Sequence, residues 1–411
     1  MRRRLSPYER VIWAAGERLP VNIAAVARVT GRTTAGQVRE AVAFARERHP
    51  LLGVRVADPG WWQARLTTAG AEDPPVRVVR ATDAGGAAGQ DVWPRVVEEE
   101  LQRPFDTATG PLARFVLVDA GEAFDLVAVF HHLVADAVSA GVVVRDLLTH
   151  LAAAPVAGTG PVLAPPADRL VPGPRANPAD LLRTARALGG PVKVPRPRGG
   201  PLAFHPWTLD REETALLLKR CRAEGTTLQS ALCAAFARAA TPGRAARIAV
   251  AADLRRVLDP PPGEAVGLYA ASFVISADGG DDLWTAARDA RTDIHARLTP
   301  DALRPLVRVF RLTSAVPHRA IGALLRRGEE RGPRFDVSVS NARMPIPEEY
   351  GPLRLYAVHG AAHTSLSGAP LVIVIGFGGR LFCSVTSTDG DASADLCRRA
   401  MEHLTDGGTG I

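Results

Sequence analysis

A proline-rich stretch divides this chain and limits what it can fold into. Between residues 154 and 204 lie Pro155, Pro161, Pro165, Pro166, Pro172, Pro174, Pro178, Pro191, Pro195 and Pro197, set among Gly and Ala. Proline fixes φ and removes a backbone donor, so such a run resists both a helix interior and a central strand. It reads as a long crossover carrying one short helix, Ala179 to Leu188. The chain thus divides into a first unit, 1–153, the linker 154–204 and a second unit, 205–411. A length of 411 residues, 46% of them hydrophobic, is ample for two such units.

Both units mix strands and helices. In the first, Ser6, Pro7 and Glu9 form a helix start with a capping box. Val21 to Val29 is apolar and β-branched, a strand. Thr33 or Thr34 opens a helix with Val38, Ala41, Val42 and Ala45 on one face, and His49-Pro50 stops it. Val54–Val56 and Trp62–Leu66 make a short hairpin. A helix over Val92–Leu101 precedes strands Leu112–Asp119 and Phe124–Phe130. The helix Ser139–Leu151 is apolar almost all round and is expected to be buried. In the second unit, strands are predicted at Phe204–Leu209, Arg247–Asp253, Leu268–Ile275, Phe335–Ser340, Leu371–Phe377 and Arg380–Thr386. Helices are predicted at Glu212–Cys221, Thr227–Ala240, Leu283–Leu298 and Ala392–Leu404, with a further stretch, Arg304–Leu325, broken at Pro317. No G-x-G-x-x-G follows a strand, so a dinucleotide-binding pattern is absent, and no internal repeat is present.

Net charge is +7 and the isoelectric point about 9.8. Nearly all the basic residues are Arg, scattered among acids, and no nucleic-acid motif accompanies them. The densest group is Arg326-Arg327-Gly328-Glu329-Glu330-Arg331 with Arg334. No apolar stretch reaches the length of a membrane span. The basic N-terminus lacks the apolar segment of a secretory signal. Cys221, Cys233, Cys383 and Cys397 form no C-x-x-C pair, which suits reduced thiols in a cytoplasmic protein. His359 and His363 lie four apart, but they flank Gly360-Ala361-Ala362 between strand-like runs without a carboxylate, so no metal site is assigned.

The chemistry concentrates in Phe130-His131-His132-Leu133-Val134-Ala135-Asp136-Ala137, between a strand and a helix. A neutral imidazole accepts a proton from a hydroxyl or amine at neutral pH. Asp136 lies across a tight loop, close enough to order the ring or the loop. The helix that follows aims its free amides and positive dipole end at the histidines.

This segment resembles the HHxxxDG signature of nonribosomal-peptide condensation domains and related stand-alone acyltransferases. Pro104-Phe105-Asp106 with Gly110-Pro111-Leu112-Ala113-Arg114 is similar to their "PFD…GPLLR" segment, and Glu47 to Leu52 resembles "RHPxLR". In the second unit Gly225 to Leu232 resembles "GxTxxxxLxAA". Ala252-Asp253-Leu254-Arg255-Arg256 with Gly267-Leu268-Tyr269 is similar to the "DLR…LG-Y" segment of polyketide-associated acyltransferases, especially the phthiocerol dimycocerosyl transferase type. Ser338-Val339-Ser340-Asn341 resembles their "VSNxG" strand end. The similarity runs from about residue 5 to 404.

The resemblance implies an α/β fold of two chloramphenicol-acetyltransferase-like subdomains in a V, with the histidine loop at their junction. It implies that His132 is the catalytic base, supported by His131, and that Asp136 is mainly structural, paired with Arg255 rather than Arg256. The family glycine is Ala137 here, which restricts positive φ. Candidate oxyanion donors are the backbone amides after His132 and the Ser340-Asn341 strand end. The expected activity is transfer of an acyl group from a phosphopantetheine thioester, on an acyl carrier protein or coenzyme A, to a small-molecule hydroxyl in natural-product or lipid biosynthesis. No bound cofactor, metal or nucleic acid is expected, and a monomer is. The alternatives are amide formation by a free-standing condensation enzyme, or a catalytically degenerate module that binds a carrier protein.

Overall fold

A computed structural model describes residues 1–17, 20–59, 63–81, 92–155, 163–172, 179, 201–280, 282–314, 316–330, 335–364 and 368–405. The elements of the first unit are β1 (Arg2–Arg4), α1 (Pro7–Gly16), β2 (Asn22–Thr30), α2 (Ala35–Arg48), β3 (Arg55–Ala57), β4 (Arg65–Thr67), β5 (Val76–Arg80), α3 (Trp93–Gln102), β6 (Ala113–Asp119), β7 (Ala123–His131) and α4 (Ala137–Leu151). The linker contributes one turn, α5 (Ala167–Leu170). The helix expected at Ala179–Leu188 lies outside the described residues except for its first.

The second unit runs β8 (Ala203–Leu209), α6 (Arg211–Ala223), α7 (Leu228–Ala240), β9 (Ala246–Asp253), β10 (Ala270–Ala277), α8 (Leu283–Arg297), α9 (Pro300–Arg308), α10 (His318–Glu330), β11 (Val337–Ala342), β12 (Glu349–Tyr350), β13 (Leu353–Ala362), β14 (Leu371–Phe377), β15 (Arg380–Ser387) and α11 (Gly390–Thr405). The stretch expected over Arg304–Leu325 is two helices joined by a 3₁₀ turn, Val309–Thr313. It does break before Pro317, because a residue preceding proline is pushed out of the helical region.

Helix starts follow local chemistry. Ser6 and Thr34 cap α1 and α2, each answered by a side chain three residues on, Glu9 and Gln37. Two six-stranded sheets carry the fold, in the orders β12-β13-β2-β7-β6-β5 and β10-β9-β11-β14-β15-β8. β2 and β7 are buried on both faces: Ile23, Ala25 and Ala27 pack in the core with α2 and α4, whereas Ala24 and Val26 pack with Trp93, Val96 and Val97 of α3. The period-two alternation of small and branched residues makes this double burial possible.

The first sheet is completed by the second unit. β13 pairs antiparallel with β2, from Arg354 opposite Thr30 to Ala362 opposite Ile23. It therefore runs through His359, where the sequence suggested a break at Gly360-Ala361-Ala362. Those small residues serve close packing of sheet on sheet: a Cβ on Gly360 would lie 3.0 Å from Ile373 Cγ2. Ser384 Oγ donates to Gly360 O (2.5 Å) and Thr386 Oγ1 to Ala362 O (2.7 Å), bridging the two sheets. The His359 ring is buried between Trp93 and Phe382, with centroids at 4.8 and 5.3 Å. Among the described residues no group of His, Cys, Asp and Glu could hold a metal. The four cysteines are free and buried.

Candidate active site

β7 ends at His131, and α4 begins at Ala137 with Asp136 as its cap. The five residues between them, His132 to Asp136, form the loop, and His131 at the end of β7 completes the histidine pair. His132 is half-buried, and its Nδ1 lies 2.8 Å from Ala135 O. A carbonyl only accepts, so Nδ1 carries the proton and Nε2 keeps its lone pair. No partner for Nε2 occurs among the described residues.

His131 has the opposite setting. It is 2% exposed, and its Nδ1 accepts from Leu133 N (3.1 Å). Its Nε2 is buried without a partner among the described residues. Burial, the neighbouring His132 and Arg114 push its pKa down to about 3, so it is neutral at physiological pH. The ring sits against α1: a Cβ on Gly16 would come within 2.5 Å of Nε2. On another side the ring of Phe105 stands edge-on at 6.2 Å. Arg114 lies 4.1 Å over Phe105 and bonds to the Glu100 carboxylate (2.5 Å) and to the carbonyls of Glu100 and Arg103 (2.6 and 2.7 Å). The "PFD…GPLAR" segment thus braces His131 and, through it, the loop.

Asp136 does not touch the His132 ring. Its carboxylate, 2% exposed, accepts four hydrogen bonds. Oδ1 takes Ser139 N (2.8 Å) and Arg255 NH2 (3.0 Å); Oδ2 takes Arg255 NH1 (2.9 Å) and Tyr269 N (2.8 Å). The pairing is bidentate and buried, and it joins the two halves of the chain. Burial opposes the charge of Arg255, but Asp136 and Asp253 outweigh it and hold the guanidinium above its ordinary range. The guanidinium also lies 4.9 Å over the Tyr269 ring. Arg256, its neighbour, is exposed.

In the sequence Ser139 marks only the start of a predicted helix. Its fully buried hydroxyl donates to Gly267 O (2.8 Å) and accepts from Gly267 N (3.0 Å) and Arg255 NH2 (2.9 Å). The sequence signal is position: three residues after the helix cap, a side chain faces back over the same turn as Asp136. Two turns on, Asp146 is fully buried and binds Arg48 (2.7 Å) and His49 (2.9 Å). Here the "RHP" segment meets α4. A cavity of about 340 Å³ opens beside them, lined by Leu51, Val142, Pro165, Leu170 and Val266, and His132 is not part of it.

Ala137 is the first helical residue of α4, and it is not among the positive-φ residues. The loop needs no glycine there. Two of the amides proposed for an oxyanion are committed elsewhere, Leu133 N to His131 Nδ1 (3.1 Å) and Val134 N to His131 O (3.0 Å), and His132 N itself donates to Val21 O (2.9 Å). For those two donors the expectation is corrected. Ser340 is half-buried and Asn341 exposed on β11. Just beyond them, Met344 and Pro345 pack over Gly141 of α4, so this strand end reaches the helix that carries the loop.

Comparison with known proteins agrees with this geometry. Residues 17–154 match the family model of the condensation domain. Over 135 residues, 32% of this chain, it is 34% identical to phosphinothricin tripeptide synthetase PhsC of Streptomyces viridochromogenes. The chain spans 12% or less of the length of the curated relatives it matches. Among solved structures it is similar to TRI3 trichothecene 15-O-acetyltransferase from Fusarium sporotrichioides, with a TM-score of 0.74, 12% identity and coverage of 98% of this chain and 94% of that one. It is also similar to polyketide synthase associated protein 5 from Mycobacterium tuberculosis, with a TM-score of 0.65, 18% identity and coverage of 99% of both. The family match thus covers the first unit, and the chain as a whole has the two-sheet, chloramphenicol-acetyltransferase-like fold of these solved structures.

Two outcomes follow. Ser139→Ala removes one partner from three buried groups and is expected to cost roughly 2 kcal/mol in a denaturant titration; an unchanged midpoint would deny the hydroxyl its place in the junction. His131 gives a pH test. Between pH 6.5 and about 3 the unfolded chain binds a proton that the folded chain refuses, so stability falls as pH falls. From pH 6.5 to pH 5 this one residue accounts for about 2 kcal/mol. His131→Asn should shrink the loss over that interval by this amount, and an identical loss in both proteins would contradict the assignment.

Proposed function

We propose that this chain is an acyltransferase that moves an acyl group from a phosphopantetheine thioester to a hydroxyl, with His132 as general base. The observation that carries the reading is the tautomer of His132: the Ala135 carbonyl fixes the proton on Nδ1 and leaves Nε2 as acceptor. The acceptor oxygen attacks the thioester carbonyl as its proton passes to Nε2. The tetrahedral intermediate collapses, the C–S bond breaks, and the proton returns to the leaving thiolate. The products are an ester and a free thiol.

Asp136 and Arg255 hold the loop in this scheme and take no proton. Ser340 and Asn341 remain candidates to face the oxyanion. The donor is an acyl carrier protein or coenzyme A, and the acceptor a small molecule of polyketide or other secondary-metabolite biosynthesis. A monomer acting in the cytoplasm is part of the same reading. Among the described residues no helix is long and apolar enough to cross a membrane.

Ester formation is favoured because the fold is similar over nearly its full length to a 15-O-acetyltransferase and to a polyketide synthase associated protein. Amide formation is the second reading, favoured by the sequence match to a tripeptide synthetase. The degenerate, non-catalytic reading loses its main support, since Ala137 fits its helical position without strain.

The test is intact-mass spectrometry of acyl carrier proteins and acyl-coenzyme A thioesters, offered hydroxyl and amine acceptors. Loss of thioester matched by acylated acceptor is expected, with His132→Ala slower by roughly 10²–10⁴-fold. A loss below tenfold would remove His132 from the role of base.

A further inference from the structure

A cavity of about 250 Å³ opens at the far end of the first sheet from the histidine loop. Arg354, which lines it, pairs with Thr30 at one end of β2; His131 pairs with Asn22 at the other. Eight residues of strand separate the two places by roughly 26 Å. The cavity is distinct from the site described above.

Arg354 and Tyr356 in its walls come from β13, and Glu348 stands just before β12. Phe377 and Arg380 flank the β14–β15 turn, and Arg211 is the first residue of α6. Gly378 and Gly379 form the turn itself, at φ +56° and +74°. A Cβ on Gly378 would stand 3.2 Å from Glu348 Oε1, and one on Gly379 would stand 3.6 Å from Arg211 Cγ. Two residues without side chains, in a conformation that favours glycine, keep this concavity open.

The charge is lopsided. Three guanidinium groups line the space and one carboxylate, Glu348, lines it with them. Some arginines elsewhere on the molecule reach acids, as in Arg28–Asp125, Arg220–Glu224 and Arg398–Glu402, and others, such as Arg55, bond only to carbonyls. Among the described residues, Arg211, Arg354 and Arg380 have no carboxylate partner. Arg211 donates only from Nε, to Gly378 O at 3.0 Å, which leaves its two terminal nitrogens for another acceptor. Arg211, Arg354 and Arg380 are exposed, so water screens their mutual repulsion, and an anion between them would lower it further. The planar fork of arginine matches the oxygens of a phosphate better than any other common anion except carboxylate. Two half-buried rings, Tyr356 and Phe377, lie beside the arginines. Arg28 already lies 5.5 Å over the Tyr356 ring, so that ring accepts a stacked planar group.

We propose that this cavity binds a phosphate-bearing small molecule, its oxyanion held by Arg211, Arg354 and Arg380 and its body resting on Tyr356 and Phe377. Glu348 weakens the field and limits how much negative charge the site accepts. The volume suits one or two phosphate groups. The site stands independently of the acyl-transfer reading.

The experiment is calorimetric titration of the whole chain with inorganic phosphate, pyrophosphate and adenosine diphosphate at low ionic strength. Saturable binding of pyrophosphate is expected. Each of Arg354→Ala and Arg380→Ala should weaken it by roughly tenfold, and added salt should weaken it further. Glu348→Gln should tighten it several-fold, an opposite change that a folding defect would not produce. His132→Ala should leave it unchanged. Tighter binding of adenosine diphosphate than of pyrophosphate, lost in Tyr356→Ala, assigns the rings to the ligand's body; equal binding assigns the site to the oxyanion alone, and the proposal then stands without that contact. No saturable binding of any of the three anions, or binding indifferent to the arginine substitutions, overturns the proposal. Binding of an acidic carrier protein through the same arginines, with no small anion bound, also overturns it and makes the cavity a protein interface.

Discussion

A buried ion pair across the two halves is the constraint on which the site depends. Asp136 and Arg255 are both almost wholly removed from water, and neither can be left alone there without a large penalty. The fold answers with more than one bond. The carboxylate takes four donors, and the guanidinium gains Ser139, Asp253 and the face of Tyr269. Asp136 is also the cap of α4. One side chain thus ends the loop, starts the helix and ties the first half to the second. His132 stands four residues away on a loop whose other end is locked in β7.

The α4 helix serves as the spine of the junction. From its start, successive turns meet the second half at Gly267 through Ser139, at Met344 and Pro345 through Gly141, and at Glu264 through Arg145. Its other side packs on β2, β7 and α2. A helix clamped on both sides presents the histidine loop in one geometry, which is what the proposed proton transfer requires. β13 adds a second tie, since it is chemically part of the second half and structurally part of the first sheet. The halves therefore share a strand as well as a salt bridge.

Much of this was legible in sequence. The caps Ser6 and Thr34, the apolar face of α2 and the antiparallel pair β6–β7 follow from local pattern. The histidine loop and the choice of Arg255 came from motifs at fixed spacing. What escaped was set by distant contacts. Gly360-Ala361-Ala362 looks like a break, and only the approach of β14 and β15 explains why a strand needs small residues there. The amides of Leu133 and Val134 looked free because the pattern of residue types does not show that the turn folds both back onto His131. Ser139 looked like no more than a helix start, and the partners of its hydroxyl lie more than 110 residues away.

The most direct measurement is a double-mutant cycle on the pair, with Asp136→Asn, Arg255→Gln and the double variant compared for stability in denaturant and for rate of acyl transfer. Each single change strands a buried charge or its donors, so each should cost several kcal/mol, and the double variant should cost clearly less than their sum, with a coupling of at least about 2 kcal/mol. The rates of all three should fall together, because the same loop is loosened in each. Additive costs, or a double variant that folds less stably yet transfers acyl groups at the wild-type rate, would contradict the claim that this pair holds His132 in place.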